Sequence, residues 1–173
     1  MKEEQKLRRE IRFLLYVFII GLILSGITAF PIHTEVTYAH NMIAYFRLDN
    51  PLSQWIETVY EGVNEIDSSY PFIAYGTDWL GFAHILLAVL FVGIVKDPVK
   101  NIWVLQFGLI ACAGIFPLAF IAGTVRGIPI YWQLIDCSFG LFGGTVLWMC
   151  YQKVRNLSTK ISEVSFPVHE VNV

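Results

Sequence analysis

Four long apolar stretches alternate with polar segments along the chain. They are Phe13–Phe30, Trp79–Val95, Ile102–Val125 and Ile130–Cys150. Each approaches or exceeds the roughly 20 residues that a helix needs to cross the hydrocarbon core of a bilayer. The pattern therefore predicts an all-α integral membrane protein with a bundle of four transmembrane helices. Residues 1–12 are expected to extend the first helix beyond the membrane.

The segment between the first two spans, residues 31–77, is too long for a simple connection. Within it, Asn50 and Pro51 are typical of a helix start, as an N-cap followed by proline in the first turn. Apolar residues then recur at helical spacing through Val63, with polar residues on the opposite side. This indicates an amphipathic helix that caps the bundle. A second, shorter helix is expected over residues 36–46.

Prolines and glycines predict further boundaries. Tyr70-Pro71 and Gly76 are expected to break the chain before the second span. The connection from Arg126 to Pro129 is so short that the third and fourth spans are expected to form a tight antiparallel hairpin.

Composition supports the membrane class. The chain is 55% hydrophobic and 15% charged, whereas a soluble domain carries about 25% charged residues. We expect one membrane domain over residues 1–157, followed by a cytoplasmic tail over residues 158–173. Cys112, Cys137 and Cys150 lie in the spans without a paired-cysteine motif, which is typical of apolar packing residues.

Basic residues cluster on one side of the predicted spans, whereas the long segment 31–77 is acidic. The basic residues are Lys2, Lys6, Arg8, Arg9, Arg12, Lys96, Lys100, Lys153, Arg155 and Lys160. Basic loops remain on the cytoplasmic side of a membrane. We therefore expect a multi-pass protein of the cell membrane (inner or plasma membrane), with both termini cytoplasmic and the helical cap extracytoplasmic.

Small residues predict which helix faces pack together, because they let membrane helices approach closely. The expected inward faces are Gly21, Ser25 and Thr28; Thr77, Gly81, His84 and Ala88; and the G-x-x-x-G pair Gly140 and Gly144. The last pair suits packing within the chain and a homodimer equally well.

Ionisable side chains in two of the spans are the candidate chemistry of this chain. His84 and Asp136 lie roughly 7–9 Å inside the outer ends of their apolar stretches. Arg126 ends the third span, and Asp78 lies at the mouth of the second. Because an ionisable group in hydrocarbon is costly, such residues indicate a functional site. We expect an outward-facing polar pocket with these four residues as candidate catalytic groups.

One interpretation of this pocket is a metal site. His84 and His33 would supply nitrogen ligands, and Glu35 and Asp136 would supply carboxylate oxygens. Two histidines and a carboxylate leave an open position on zinc or another divalent transition metal. A metal-bound water could then attack a lipidic substrate.

Two other interpretations remain open. His84, Asp136 and Asp78 could relay protons, although the inner halves of the spans offer no carboxylate or histidine to complete a path. In a structural interpretation, Arg126 pairs with Asp136, and His84 donates to a helix carbonyl or to Asp136. His40 is interpreted as a solvated loop histidine.

The sequence therefore predicts a small membrane protein that binds a metal or a small or lipidic ligand, and it leaves open whether the protein is an enzyme. The alternative is a non-catalytic structural or interaction subunit of an envelope complex. The expected partners are the lipid bilayer, a lipidic or small-molecule ligand, and a protein partner or a second copy. No nucleic acid is expected, because the basic residues lie only at the membrane edges.

Overall fold

The structure is a computed structural model, which describes residues 2–165 and the side chains of residues 3–162. Within that range the chain forms six helices and no strand, so the predicted all-α class is confirmed. The helices are α1 (Lys2–Ala29), α2 (Ile32–Phe46), α3 (Pro51–Ser69), α4 (Pro71–Lys96), α5 (Ile102–Val125) and α6 (Ile130–Ser165).

Four of these helices, α1, α4, α5 and α6, are long and apolar enough to cross a membrane. Large apolar side chains on α5 also remain accessible: Ile110 is 72% exposed, and Leu118 and Ile121 are each 67% exposed. Apolar surface of this extent is unfavourable in water and is expected where a helix faces lipid. The helices thus indicate a multi-pass membrane protein.

The observed boundaries follow the local sequence. Tyr70 separates α3 from α4, and its N–H group donates the last bond of α3 to the Ile66 carbonyl oxygen at 2.8 Å. Pro71 has no N–H group with which to continue that helix, but it suits the first position of the next one. The predicted break at Gly76 is wrong, because Gly76 lies within α4.

The last helix is longer than its apolar stretch. α6 continues past Cys150 to Ser165, so the segment that was expected to be a tail from residue 158 begins as helix. Residues 166–173 of that expected tail lie outside the described residues.

The chain separates into two compact units. Unit 1 combines the N-terminal part through Ile20 with the part from Val89 onward, and unit 2 is Gly21–Ala88. Unit 1 has an apolar core of fully buried side chains. These are Ile11, Leu15, Phe91, Ile94, Val104, Leu105, Leu147, Cys150, Val154 and Leu157. All belong to α1, α4, α5 or α6, and the buried cysteines serve as packing residues, as expected.

The α5–α6 hairpin of unit 1 depends on two glycines. Gly127 in the turn has a φ angle of +69°, a backbone conformation that other residues adopt at a cost. A Cβ atom on Gly140 would lie 2.8 Å from the Cys112 carbonyl oxygen. The backbones of α5 and α6 therefore approach closely at Gly140, and the predicted tight hairpin is confirmed.

Ion pairs join the charged ends of α1 and α6 in unit 1. Lys153 Nζ donates to Glu10 Oε2 at 2.5 Å, and Lys160 pairs with Glu3. Two of the basic residues that predict the orientation of the protein thus also connect its first and last helices.

The turn between α4 and α5 is stabilised by hydrogen bonds within unit 1. Asn101 Nδ2 donates to the Gly93 and Asp97 carbonyl oxygens at 3.0 and 2.9 Å. The Lys100 backbone N–H donates to the Asp97 carboxylate at 3.1 Å, and this bond holds the pKa of Asp97 below its usual range.

In unit 2, α2 and α3 form a second hairpin. Its second helix, α3, begins with a capping box. The Asn50 side chain accepts from the Leu52 and Ser53 N–H groups, and Ser53 Oγ accepts from the Asn50 N–H group. The predicted N-cap of α3 at Asn50 is confirmed. The described residues of α2 include no buried one, and α3 buries only Ser53.

Polar contacts connect the two helices of the α2–α3 hairpin. His33 Nε2 lies 2.8 Å from Asn64 Oδ1, and His40 Nε2 lies 2.9 Å from Glu57 Oε2. The His40 ring also stacks on Tyr60 with centroids 4.0 Å apart. The interpretation of His40 as a solvated loop histidine is therefore wrong, because α2 extends through it and α3 supplies its partners.

Candidate functional site

The C-terminal end of α1 and the N-terminal half of α4 meet through two glycines of unit 2. A Cβ atom on Gly26 would lie 2.8 Å from the Gly81 carbonyl oxygen, and one on Gly81 would lie 2.7 Å from the Gly26 carbonyl oxygen. Only glycine at both positions allows the two backbones to touch in this way. Gly81 was expected on an inward face, and this is confirmed.

The inward face predicted for α1 is wrong. Gly21, Ser25 and Thr28 are all exposed, whereas Gly26 is buried. From Phe13 onward this helix is apolar on every side, so the small residue that faces a neighbour depends on the backbone that approaches it. Here that backbone is α4 at Gly81.

A cleft of about 290 Å³ lies beside this contact, entirely within unit 2. It is lined by Phe30, Tyr75, Asp78, Trp79 and Phe82. The last four residues lie on α4 at positions that face the same side of a helix. We call this site the aromatic cleft.

Close packing places Phe30 in the aromatic cleft. A Cβ atom on Gly81 would lie 3.0 Å from Phe30 Cε2, so the ring occupies space that any larger residue at this position would require. Phe30 follows directly after α1. The glycine contact thus brings the ring at the end of α1 onto the aromatic face of α4.

The α4 rings meet edge to face. Tyr75 and Trp79 have centroids 6.0 Å apart and planes at 81°, and Trp79 and Phe82 have centroids 6.0 Å apart and planes at 85°. These are favourable arrangements for aromatic pairs. Neighbouring rings of the cleft therefore lie in nearly perpendicular planes.

Asp78 supplies the only carboxylate among the residues that line the aromatic cleft. It is half-buried, and no hydrogen bond or ion pair to it occurs among the residues that the structure describes. Its oxygens are therefore available to a ligand. Of the four candidate pocket residues, Asp78 lines the aromatic cleft.

His84 lies on the same helix, about 120° around the axis from Asp78. Its Nδ1 atom is 2.8 Å from the Leu80 carbonyl oxygen. Because a carbonyl oxygen only accepts, Nδ1 must carry the hydrogen, and Nε2 is left for any other partner. Of the two partners expected for His84 in the structural interpretation, a helix carbonyl or Asp136, the structure shows the helix carbonyl.

The other predicted metal ligands have different surroundings. His33 is exposed and contacts Asn64, and Glu35 is exposed in the first turn of α2. Among the side chains of residues 3–162, no three His, Cys, Asp or Glu residues form a group that could hold a metal ion. The metal site on His84, His33, Glu35 and Asp136 stays a prediction.

Arg126 and Asp136 belong to unit 1. Arg126 is the exposed C-cap residue of α5, and its N–H group bonds to the Ala122 carbonyl oxygen at 3.0 Å. Asp136 is half-buried on α6. Within the described part of the chain the two side chains form no ion pair, so the pairing in the structural interpretation is not formed. The four-residue pocket stays a prediction.

The sequence did not indicate that Phe30, Trp79 and Phe82 line a cleft. Trp79 and Phe82 are apolar residues near the end of a span, a position where tryptophan is expected at any membrane interface. The available signal was the spacing: Tyr75, Trp79 and Phe82 recur at helical intervals around Asp78. Nothing in the local sequence, however, placed Phe30 next to them.

Comparison of the chain with protein-family models, with curated proteins and with solved structures gives no match.

Proposed function

We propose that this protein is a multi-pass membrane protein that binds a small or lipidic organic ligand in its aromatic cleft. The observation that carries the proposal is the cleft itself, in which one unpaired carboxylate lies among four aromatic rings. Mostly apolar walls with few polar groups are typical of ligand sites.

The size of the cleft limits what it can hold. Its volume of about 290 Å³ lies at the lower end of the roughly 300–1,000 Å³ of typical ligand sites. A small molecule would fill the aromatic cleft. A larger lipid would place only its head group there and leave its chains along the surface of the helices.

The proposal includes an orientation. With the basic ends of α1 and α6 in the cytoplasm, Phe30 and the first turns of α4 lie toward the outer leaflet. The ligand would then come from outside the cell or from the outer leaflet of the cell membrane.

Native mass spectrometry of the detergent-purified protein tests the proposal. We expect an organic adduct at about one per chain, which Trp79→Ala reduces strongly. Trp148→Ala is a matched control, because Trp148 is 53% exposed and Trp79 is 57% exposed, and Trp148 does not line the aromatic cleft. Equal retention of the adduct in both variants would contradict the proposal.

The acidic face of α3 supports a second candidate function, an interaction subunit of an envelope complex. Glu61 and Glu65, one helical turn apart, are exposed, and neither has an ion-pair partner among the described residues. Such a face suits a basic partner protein. Glu61→Gln with Glu65→Gln would then release a copurified protein, while Trp79→Ala would retain it.

A further inference from the structure

We propose that the aromatic cleft takes the quaternary ammonium head of a cationic amphiphile. This inference rests on the proposed function and names the chemical class of its ligand. It follows from three features of the cleft: the arrangement of its rings, its single carboxylate and the apolar surface that continues from it.

The rings suit a cation that is large and weakly hydrated. The face of an aromatic ring carries partial negative charge, and an organic cation over that face is attracted to it. The Trp79 ring is nearly perpendicular to the Tyr75 ring on one side and to the Phe82 ring on the other. They therefore contact a roughly spherical head group from more than one side, whereas parallel rings would suit a flat ligand.

The charge of the cleft selects a cation. Asp78 is the only ionisable carboxylate in the lining, and no basic residue lines the cleft. An anionic head group would be repelled by Asp78, and a neutral one would leave the carboxylate uncompensated in a partly apolar site.

The same lining does not suit an inorganic cation. Magnesium and calcium ions take about six or more oxygen ligands. The lining side chains offer only the Asp78 carboxylate and the Tyr75 hydroxyl group. A quaternary ammonium group needs no such ligands, because its methyl groups contact the rings directly.

The surface beyond the cleft indicates that the ligand also has a hydrocarbon chain. Leu86 follows Phe82 by one helical turn on α4 and is 52% exposed. The apolar face therefore continues from the cleft toward the middle of the span. A chain attached to the head group can lie along this face in contact with lipid.

Titration calorimetry of the purified protein in maltoside micelles tests the inference with choline and 3,3-dimethylbutan-1-ol. The second compound has the shape of choline without its charge. We expect choline to bind about tenfold more tightly than its uncharged counterpart. Octyltrimethylammonium is titrated below its micelle-forming concentration, and the heat measured with Trp79→Ala is subtracted as the background. After this correction it should bind more tightly than choline.

Variants of the carboxylate complete the test. Asp78→Asn should reduce the preference for choline to less than about threefold, while Asp136→Asn should retain it. If Asp78→Asn fails to fold, Trp79→Leu keeps the carboxylate, removes one wall, and should also reduce choline binding.

Each contrary result has a separate meaning. Equal binding of choline and its uncharged counterpart would overturn the cationic ligand, yet an adduct lost in Trp79→Ala would leave the proposed function standing. If neither choline nor octyltrimethylammonium binds, the inference is overturned as well. A preference for choline that both Asp78→Asn and Trp79→Leu retain would place the cation elsewhere and overturn it too.

Discussion

The protein contains two helical hairpins whose helices are held together by different interactions. In the α5–α6 hairpin, apolar residues such as Leu105 and Leu147 are fully buried, and Gly140 lets the two backbones touch. In the α2–α3 hairpin, His33 contacts Asn64 and His40 contacts Glu57, and Ser53 is the only buried one among the described residues of the two helices.

The difference is the one expected if the α5–α6 hairpin lies in lipid and the α2–α3 hairpin lies near water. In lipid, apolar side chains gain little from contact with one another, so helices associate through close packing at small residues. Near water, a polar contact between side chains replaces hydrogen bonds that the same groups would make to water. Each such contact therefore contributes only modestly to stability. We therefore expect the α5–α6 hairpin to open with the whole unit and the α2–α3 hairpin to open locally.

The largest expected loss of stability follows from disrupting the contact between α5 and α6 at Gly140. Gly140→Leu should lower the free energy of unfolding by about 3 kcal/mol or more, because the new side chain would overlap the Cys112 carbonyl oxygen. Thermal unfolding in detergent measures the loss.

Gly114→Ala is the matched control for this change. A Cβ atom on Gly114, also in a membrane-spanning helix, would have no neighbour within 4 Å. The substitution should be neutral or slightly stabilising, because alanine favours a helix more than glycine does. Equal losses in the two variants would show that Gly140 has no special packing role.

A smaller effect is expected at His40 in the α2–α3 hairpin. His40→Ala removes both the stack on Tyr60 and the 2.9 Å contact of Nε2 with Glu57 Oε2, and should destabilise the α2–α3 hairpin by about 1–2 kcal/mol. His40→Phe keeps the stack and should recover part of the loss. Hydrogen exchange should quicken in α2 and α3 while α5 and α6 remain protected. Faster exchange throughout would refute the proposed local opening.

The smallest effect concerns the start of α3. Asn50→Ala removes the acceptor for the Leu52 and Ser53 N–H groups and should cost about 1 kcal/mol. Asn41→Ala, at an exposed position within α2, is the control and should change stability little. Circular dichroism and hydrogen exchange of the first turn of α3 would separate the two variants.

The sequence predicted the helices well because composition alone marks a membrane span. Ile102–Val125 was predicted with its observed bounds, and the cap at Asn50 was predicted from local chemistry. The packing face of α1 was not predicted, because any turn of an apolar helix that carries a small residue can face inward. Only the approach of Gly81 distinguishes Gly26 from Gly21.

The candidate site was predicted only in part. Asp78 was identified because a carboxylate near a span is unusual, whereas the rings around it resembled ordinary interfacial aromatics. His40 was misinterpreted because its partners, Glu57 and Tyr60, come from another helix. Contacts of this kind depend on how two helices pack, and no local pattern in the chain encodes them.

The contact between Gly26 and Gly81 also fixes the angular setting of α4. Because each glycine Cα faces the carbonyl oxygen of the other helix, turning α4 about its axis would drive Leu80 or Phe82 into the α1 backbone. Asp78 and its rings therefore keep one direction before any ligand arrives. A site that is already arranged loses little conformational freedom on binding, so even a small head group can be held without a moving lid.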